Sequence, residues 1–134
     1  MEKSVAALVV NSKGLYLLLH PSRGTMEWAL PGGHQEKGES DMETLKREIA
    51  EECGIHNFEI VDGFVEENSY INSKGNNRVI LVYLVKVGDP KIILSREHSG
   101  FAWFAYKDAM DRLNHEKWKR ILKKADMHLS GKNA

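Results

Sequence analysis

Cysteine, surplus charge and long apolar runs are all scarce in this chain, and each shortage closes off a class of protein. One cysteine, Cys53, stands among 134 residues, so no intrachain disulfide can form and a reducing compartment is expected. Nineteen basic residues balance nineteen acidic ones, for a formal net charge of +0. A general nucleic-acid or membrane-surface binder draws its affinity from excess positive charge, and there is none here. No stretch approaches the roughly 18 apolar residues of a membrane span. The apolar opening MEKSVAALVV is followed by no cleavage-type sequence. The six histidines lack zinc-like spacing with Cys53, and repeats, low-complexity tracts and linkers are missing. What remains is an ordinary composition, 42% hydrophobic and 28% charged, in a length that buries a core unaided. The expectation is one cytoplasmic domain over residues 1–134, with 130–134 a loose tail and with no nucleic-acid or membrane partner. Nothing in the sequence fixes the oligomeric state.

Turn signals divide the chain. Val5–Val10 and Leu15–His20 are apolar runs joined by Asn11-Ser12-Lys13-Gly14, a hairpin pattern. A polar loop over His20–Glu27 leads to Trp28-Ala29-Leu30, expected as a short strand stopped by Pro31-Gly32-Gly33. Ser40, with Glu43 three residues on, is a capping-box start and Gly54 a stop, so Asp41–Cys53 is predicted helical. Phe58–Glu67 and Arg78–Val87 are predicted as longer strands around the polar loop Asn72–Asn77, with Ile92–Leu94 and Phe101–Phe104 as short ones. Lys107–Leu113 and Glu116–His128 are predicted helices, the second with Ile121, Leu122 and Ala125 as its apolar stripe. Strands mixed with a few segregated helices indicate α+β, an α/β/α sandwich.

The first helix carries the chemistry. At about 100° per residue, Glu48 and Glu52 stand one turn apart with Glu51 beside them. Met42, Leu45, Ile49 and Cys53 form its core-facing stripe, and Glu52 falls about 20° from Leu45, inside that stripe's edge. A solvated acidic face, paired with Lys46 and Arg47, would keep its carboxylates away from the apolar side. Three carboxylates within one turn also repel one another and raise some of their pKa values. A divalent cation answers both problems, because hard Mg²⁺ prefers carboxylate and carbonyl oxygens and phosphate can complete its shell. Cys53, on the buried stripe, reads as packing rather than as a nucleophile.

Gly33, Glu39, Arg47, Glu48, Ile49, Glu51, Glu52, Gly54 and Ile55 together satisfy the pattern of the Nudix box. Seven fixed positions matching by chance at a given start has odds of about one in 10⁸. The chain is therefore identified as resembling the Nudix hydrolases, and the order of its elements resembles theirs over most of its length. The resemblance implies the Nudix fold, a mixed β-sheet between helices. It also implies Mg²⁺-dependent hydrolysis of a phosphoanhydride bond in a small nucleoside-diphosphate-linked substrate, with Mn²⁺ able to substitute. Glu48, Glu51 and Glu52 are then metal ligands, Glu52 foremost, joined by the Gly32 carbonyl. Arg47 orients the glutamates through ion pairs, Glu39 braces the loop or assists the metals, and Gly33 and Gly54 are structural. The general base stays open between Glu48 and a later-loop glutamate. Glu97 is the leading choice for that second position and a further metal candidate, ahead of Glu66 and Glu67.

Trp28-x-Leu30-Pro31-x-Gly33-His34 and the later Glu97-His98 with Phe101-x-Trp103 resemble the asymmetric diadenosine tetraphosphate hydrolases within that family. Two departures stand against this: Gly32 replaces a lysine common there, and Val82 takes the place of an adenine-stacking tyrosine. Substrate candidates are Arg23, Arg78 and His98 for phosphate, His34 beside the site, and Tyr70 or Tyr83 for the base, although alternation sends Tyr83 to the face opposite Val82. Two further readings remain open: a MutT-like nucleoside triphosphate pyrophosphohydrolase, and a catalytically silent nucleotide sensor.

Overall fold

The computed structural model describes residues 2–21 and 27–131. In chain order the elements are β1 (Glu2–Val10), β2 (Tyr16–Pro21), β3 (Gly32–His34), α1 (Asp41–Cys53), β4 (Glu59–Ile71), β5 (Asn77–Lys86), β6 (His98–Phe104), α2 (Tyr106–Arg112) and α3 (Glu116–Leu129). The strands form one six-stranded sheet in the order β4-β5-β1-β2-β6, with β3 paired to β1. Nine residues of β1 run parallel to β5, and the remaining pairings are antiparallel, so the sheet is mixed.

Period-two alternation splits the core into two layers. Val5, Ala7 and Val9 of β1 pack with Leu17, Leu19 and Val85 beneath Leu45, Ile49 and Cys53 of α1. Leu8 and Val10 pack on the other face with Leu18, Val82 and Leu84 against Ile121, Leu122 and Ala125 of α3. Each fully buried Leu or Ile contributes roughly 1.5–3 kcal/mol, which fixes α1 firmly enough to aim side chains. Helix α1 starts and stops as predicted. Ser40 accepts from the Glu43 N–H while Glu43 reaches back to the Ser40 N–H, and Gly54 ends the helix at φ 70°. The architecture is α+β, a mixed sheet between helices. Among the described residues no helix is long and apolar enough to cross a membrane.

Three expectations of local structure are corrected. Trp28–Leu30 is not a strand: only Ala29 bridges to Leu19, and the strand lies at Gly32–His34, overlapping the Pro31-Gly32-Gly33 stretch expected to be a stop. The cause is tertiary. β1 touches β2 in register only at Val10↔Tyr16, and β3 pairs with β1 at its other end, Ser4–Ala6. A Cβ on Gly32 would lie 2.5 Å from the Val5 carbonyl oxygen, so this pairing needs glycine. Ile92–Leu94 forms no strand either; the Ile93 N–H donates to the Cys53 carbonyl at 2.9 Å, laying the segment over the end of α1. Lastly, β4 runs on to Ile71 because β5 pairs with it as far as Asn77.

Candidate active site

The loop from β3 to α1 is tied to the helix by one guanidinium. Arg47 Nε donates to Glu39 Oε2 at 2.7 Å and Nη2 to Glu39 Oε1 at 2.9 Å. Its Nη1 donates to Glu48 Oε1 at 2.8 Å and Glu51 Oε2 at 3.5 Å, and Nη2 also reaches the His34 carbonyl at 3.0 Å. Glu39 accepts further from the Glu36 N–H and the Thr44 hydroxyl. The Arg47 bonds first, then that peptide N–H, hold the Glu39 carboxyl down at about 2. Glu39 is thus a brace that stays charged well below the usual carboxylate range.

At the other end of the box the electrostatics reverse. Glu52 is 7% exposed; its Oε1 accepts from the Gly32 N–H at 2.7 Å, and its Oε2 shares a hydrogen bond with His98 Nε2 at 3.0 Å. Burial raises its pKa despite those bonds. Glu48 is raised too, first by burial and then by the Glu52 charge. The last turn of α1 holds no basic residue, so these acids sit against the negative end of the helix dipole. Gly33 makes room for one of them: a Cβ there would lie 2.5 Å from the Glu48 carboxylate.

Glu48, Glu51, Glu52 and Glu97 line one cavity of about 510 Å³, walled by Gly32, Gly33 and His34. Ligand atoms of Glu52, Glu97 and His98 lie within 4.8 Å of one another. The wall also carries Ser95, whose buried Oγ has no partner. A hard divalent cation fits this donor set. The donors are chiefly carboxylate oxygens, they repel one another, and an unpartnered hydroxyl stands beside them. Sequence reasoning missed Ser95 and Glu36, which also lines the cavity; a signal for Ser95 was available two residues before Glu97.

The remaining candidates scatter. His34 is exposed and lines both this cavity and a neighbouring polar trench of about 680 Å³ that holds Lys3, Lys37 and Arg78. Arg78 is paired with Glu2 at 2.5 Å and does not line the carboxylate cavity. Tyr83 packs on the α1 side of the sheet, its hydroxyl donating to Asp41 Oδ2 at 2.8 Å, away from the cavity lining. Tyr70 lines a separate cleft of about 560 Å³ with Asn68, Ile80 and Trp118. That cleft shares Ile80 and Trp118 with a groove of about 370 Å³, which passes Trp28 and ends at Gly32 and Gly33. The two glycines thus separate an apolar, aromatic path from the carboxylates. Burial pushes the Cys53 thiol up to about 12, consistent with packing. Arg23 lies outside the described residues.

The model of the NUDIX domain family matches residues 2–125. The asymmetrical bis(5'-nucleosyl)-tetraphosphatase of Sus scrofa is 35% identical over 124 residues, 90% of this chain and 84% of that protein. Its Mus musculus counterpart is 32% identical over 89% of this chain and 83% of its own length. Among solved structures, a C. elegans Ap4A hydrolase binary complex superposes with TM-score 0.90 at 26% identity, over 98% of this chain and 99% of that one. The MutT protein from Methanosarcina mazei Go1 gives TM-score 0.79 at 26% identity, over 96% and 94%. Fold, box and relatives define a pyrophosphohydrolase, an enzyme acting on acid anhydrides. The chain belongs to the Nudix family.

Proposed function

We propose that this chain is a Mg²⁺-dependent hydrolase of diadenosine tetraphosphate that releases ATP and AMP. The observation that carries the reading is an acidic cavity, built on buried Glu52, beside an aromatic groove, with Gly32 and Gly33 in the linings of both. Nucleotide substrates need both surfaces: oxygen donors that hold a cation against phosphate, and apolar faces for the base. The identity to asymmetrical tetraphosphatases over most of the chain supports the substrate.

Glu48, Glu51, Glu52 and Glu97 would hold the cation, with the Gly32 carbonyl completing the set. When bound, Mg²⁺ polarises the phosphoanhydride and offsets the carboxylate charge, and Mn²⁺ offers the same oxygen preference. Arg47 fixes Glu48 while its bonds to Glu39 keep the loop in place. The Gly32 N–H and His98 grip the two oxygens of Glu52, so that carboxylate arrives oriented. Glu97, exposed at the cavity rim, accepts the proton of the attacking water. As the water oxygen bonds to phosphorus the P–O anhydride bond breaks, and its oxygen leaves with one nucleotide. Glu48 is the other candidate for that base. His34, facing both the cavity and the trench with Lys3, Lys37 and Arg78, is placed to meet a long polyphosphate.

Product analysis with Mg²⁺ and with EDTA tests the reading over diadenosine tetraphosphate, dGTP, 8-oxo-dGTP, ADP-ribose and NADH. ATP plus AMP, formed only with metal and preferred over other products, is expected. Pyrophosphate from a triphosphate would move the substrate to the MutT-like class. Tight binding without turnover would make the chain a sensor.

A further inference from the structure

Among the described residues three polar or charged residues are buried: Thr44, Glu52 and Asn68. Thr44 donates to Glu39 and to the Ser40 carbonyl, and Glu52 is held by Gly32 and His98. Asn68 is 6% exposed, yet its carboxamide makes no hydrogen bond with any described residue. Its polar atoms are not sealed from solvent, so the carboxamide opens onto the cleft that the residue lines, free to bond a ligand. Its neighbours show where the group is directed. Asn68 stands opposite Ile80 across the β4–β5 ladder, and Tyr70 follows two positions along the same strand, on the same face. All three line the cleft against Trp118 of α3.

We propose that Asn68 reads the hydrogen-bonding edge of an adenine base bound in this cleft against Trp118 and Tyr70. The inference rests on the nucleotide-hydrolase reading above and adds a base-specificity residue to it. A carboxamide presents one acceptor beside a donor pair, which matches the N6 amino group and N7 of adenine in a single bidentate contact. The same edge of guanine offers two acceptors, O6 and N7, and leaves the carboxamide oxygen unpaired. The aromatic walls supply stacking, which any base satisfies. The cleft shares Ile80 and Trp118 with the groove lined by Gly32 and Gly33, so a base here lies on the side of the groove away from the carboxylates, with its phosphates directed along it.

Titration of the full chain with AMP and with GMP, by calorimetry, tests this without requiring turnover. The wild type is expected to bind AMP about 10-fold more tightly than GMP. Asn68→Leu should bind AMP more weakly and bring the two affinities together. Asn68→Asp, which accepts but does not donate, should weaken AMP by losing the N7 contact and weaken GMP further, because both guanine acceptors on that edge then face a carboxylate. Equal affinities in the wild type, or an unchanged ratio in Asn68→Leu and Asn68→Asp, would overturn the assignment. Failure of the substrate reading looks different: diadenosine tetraphosphate is not cleaved, while the Asn68-dependent AMP preference persists.

Discussion

In the proposed function the two faces of the sheet carry two halves of one task, and they are built on opposite principles. On the α1 side, Glu39, Arg47, Glu48, Glu51 and Glu52 come from a span of 14 residues and are locked by hydrogen bonds as short as 2.7 Å. On the α3 side, Trp28, Asn68, Tyr70, Ile80 and Trp118 come from four separate segments and meet only through folding. The polar half is held in place by directed bonds, and the apolar half by packing, with one amide left unpaired. If the proposed function holds, the difference makes chemistry and specificity separable: damage on the α1 side should fall on kcat, and damage on the α3 side on KM.

The sharpest way to break that contrast is Glu52→Gln. The neutral amide keeps the shape but removes the charge that the cation needs, and kcat should fall on the order of 10³-fold, about 4 kcal/mol of barrier. Its melting temperature in EDTA should be unchanged or higher, because a buried carboxamide costs less than a buried carboxylate. A variant that is merely unfolded, with no catalytic defect in its folded fraction, would remove Glu52 from the site. Next in size is Glu97→Gln, for which about a 10²-fold loss is expected if it takes the water proton. Unchanged kinetics would pass the role to Glu48.

How much of this was legible in the sequence follows the same division. Asp41–Cys53, its two caps and the burial of Glu52 were readable because helix geometry is local: spacing alone put Glu52 inside the apolar stripe. Strand β3 was not, since Pro31-Gly32-Gly33 carries every mark of a stop, and only the approach of β1 turns it into a strand. Tyr83 was weighed as a base-stacking residue, and alternation warned against it; in the fold it bonds Asp41 at the start of α1. Asn68 gave no signal at all. An asparagine between Glu67 and Ser69 reads as a polar strand residue, and its burial depends on α3, which begins 48 residues later.

Two smaller substitutions sharpen the comparison from either side. Gly33→Ala places a methyl group 2.5 Å from where the Glu48 carboxylate lies, so Glu48 must move. A loss of roughly 10- to 100-fold in kcat is expected, as for groups that orient metal ligands. An unaltered kcat would mean that the position of Glu48 is not critical. Trp118→Ala removes an aromatic wall of the cleft while leaving the carboxylates alone. Stacking contributes about 1–3 kcal/mol per base, so KM should rise on the order of 10-fold with kcat nearly constant. A drop in kcat of equal size would show that the faces are not separable.

The smallest effect concerns the protein without substrate, and the two ends of the box make opposite contributions to it. Glu39 is held at about 2, against an ordinary value of 4.5. Its folded form binds the proton more weakly than the unfolded chain does. It therefore stabilises the fold above 4.5, and that contribution is lost as pH falls toward 2. Glu48 and Glu52 are raised instead, so the folded state holds their protons longer than the unfolded chain. From them, stability falls as pH climbs from 4.5 through their folded values, and above that the full cost of the buried Glu52 charge and the half-buried Glu48 charge is present. A cation bound among these carboxylates offsets that cost only where they are ionised. Saturating Mg²⁺ should therefore raise the melting temperature by a few degrees at pH 8 and by much less at pH 5, where protons compete for the same oxygens. Thermal denaturation with Mg²⁺ and with EDTA at both pH values measures the difference, and Glu52→Gln should shrink it. An equal Mg²⁺ shift at both pH values, retained in that variant, would place the cation outside the α1 carboxylates and dissolve the division between the two faces.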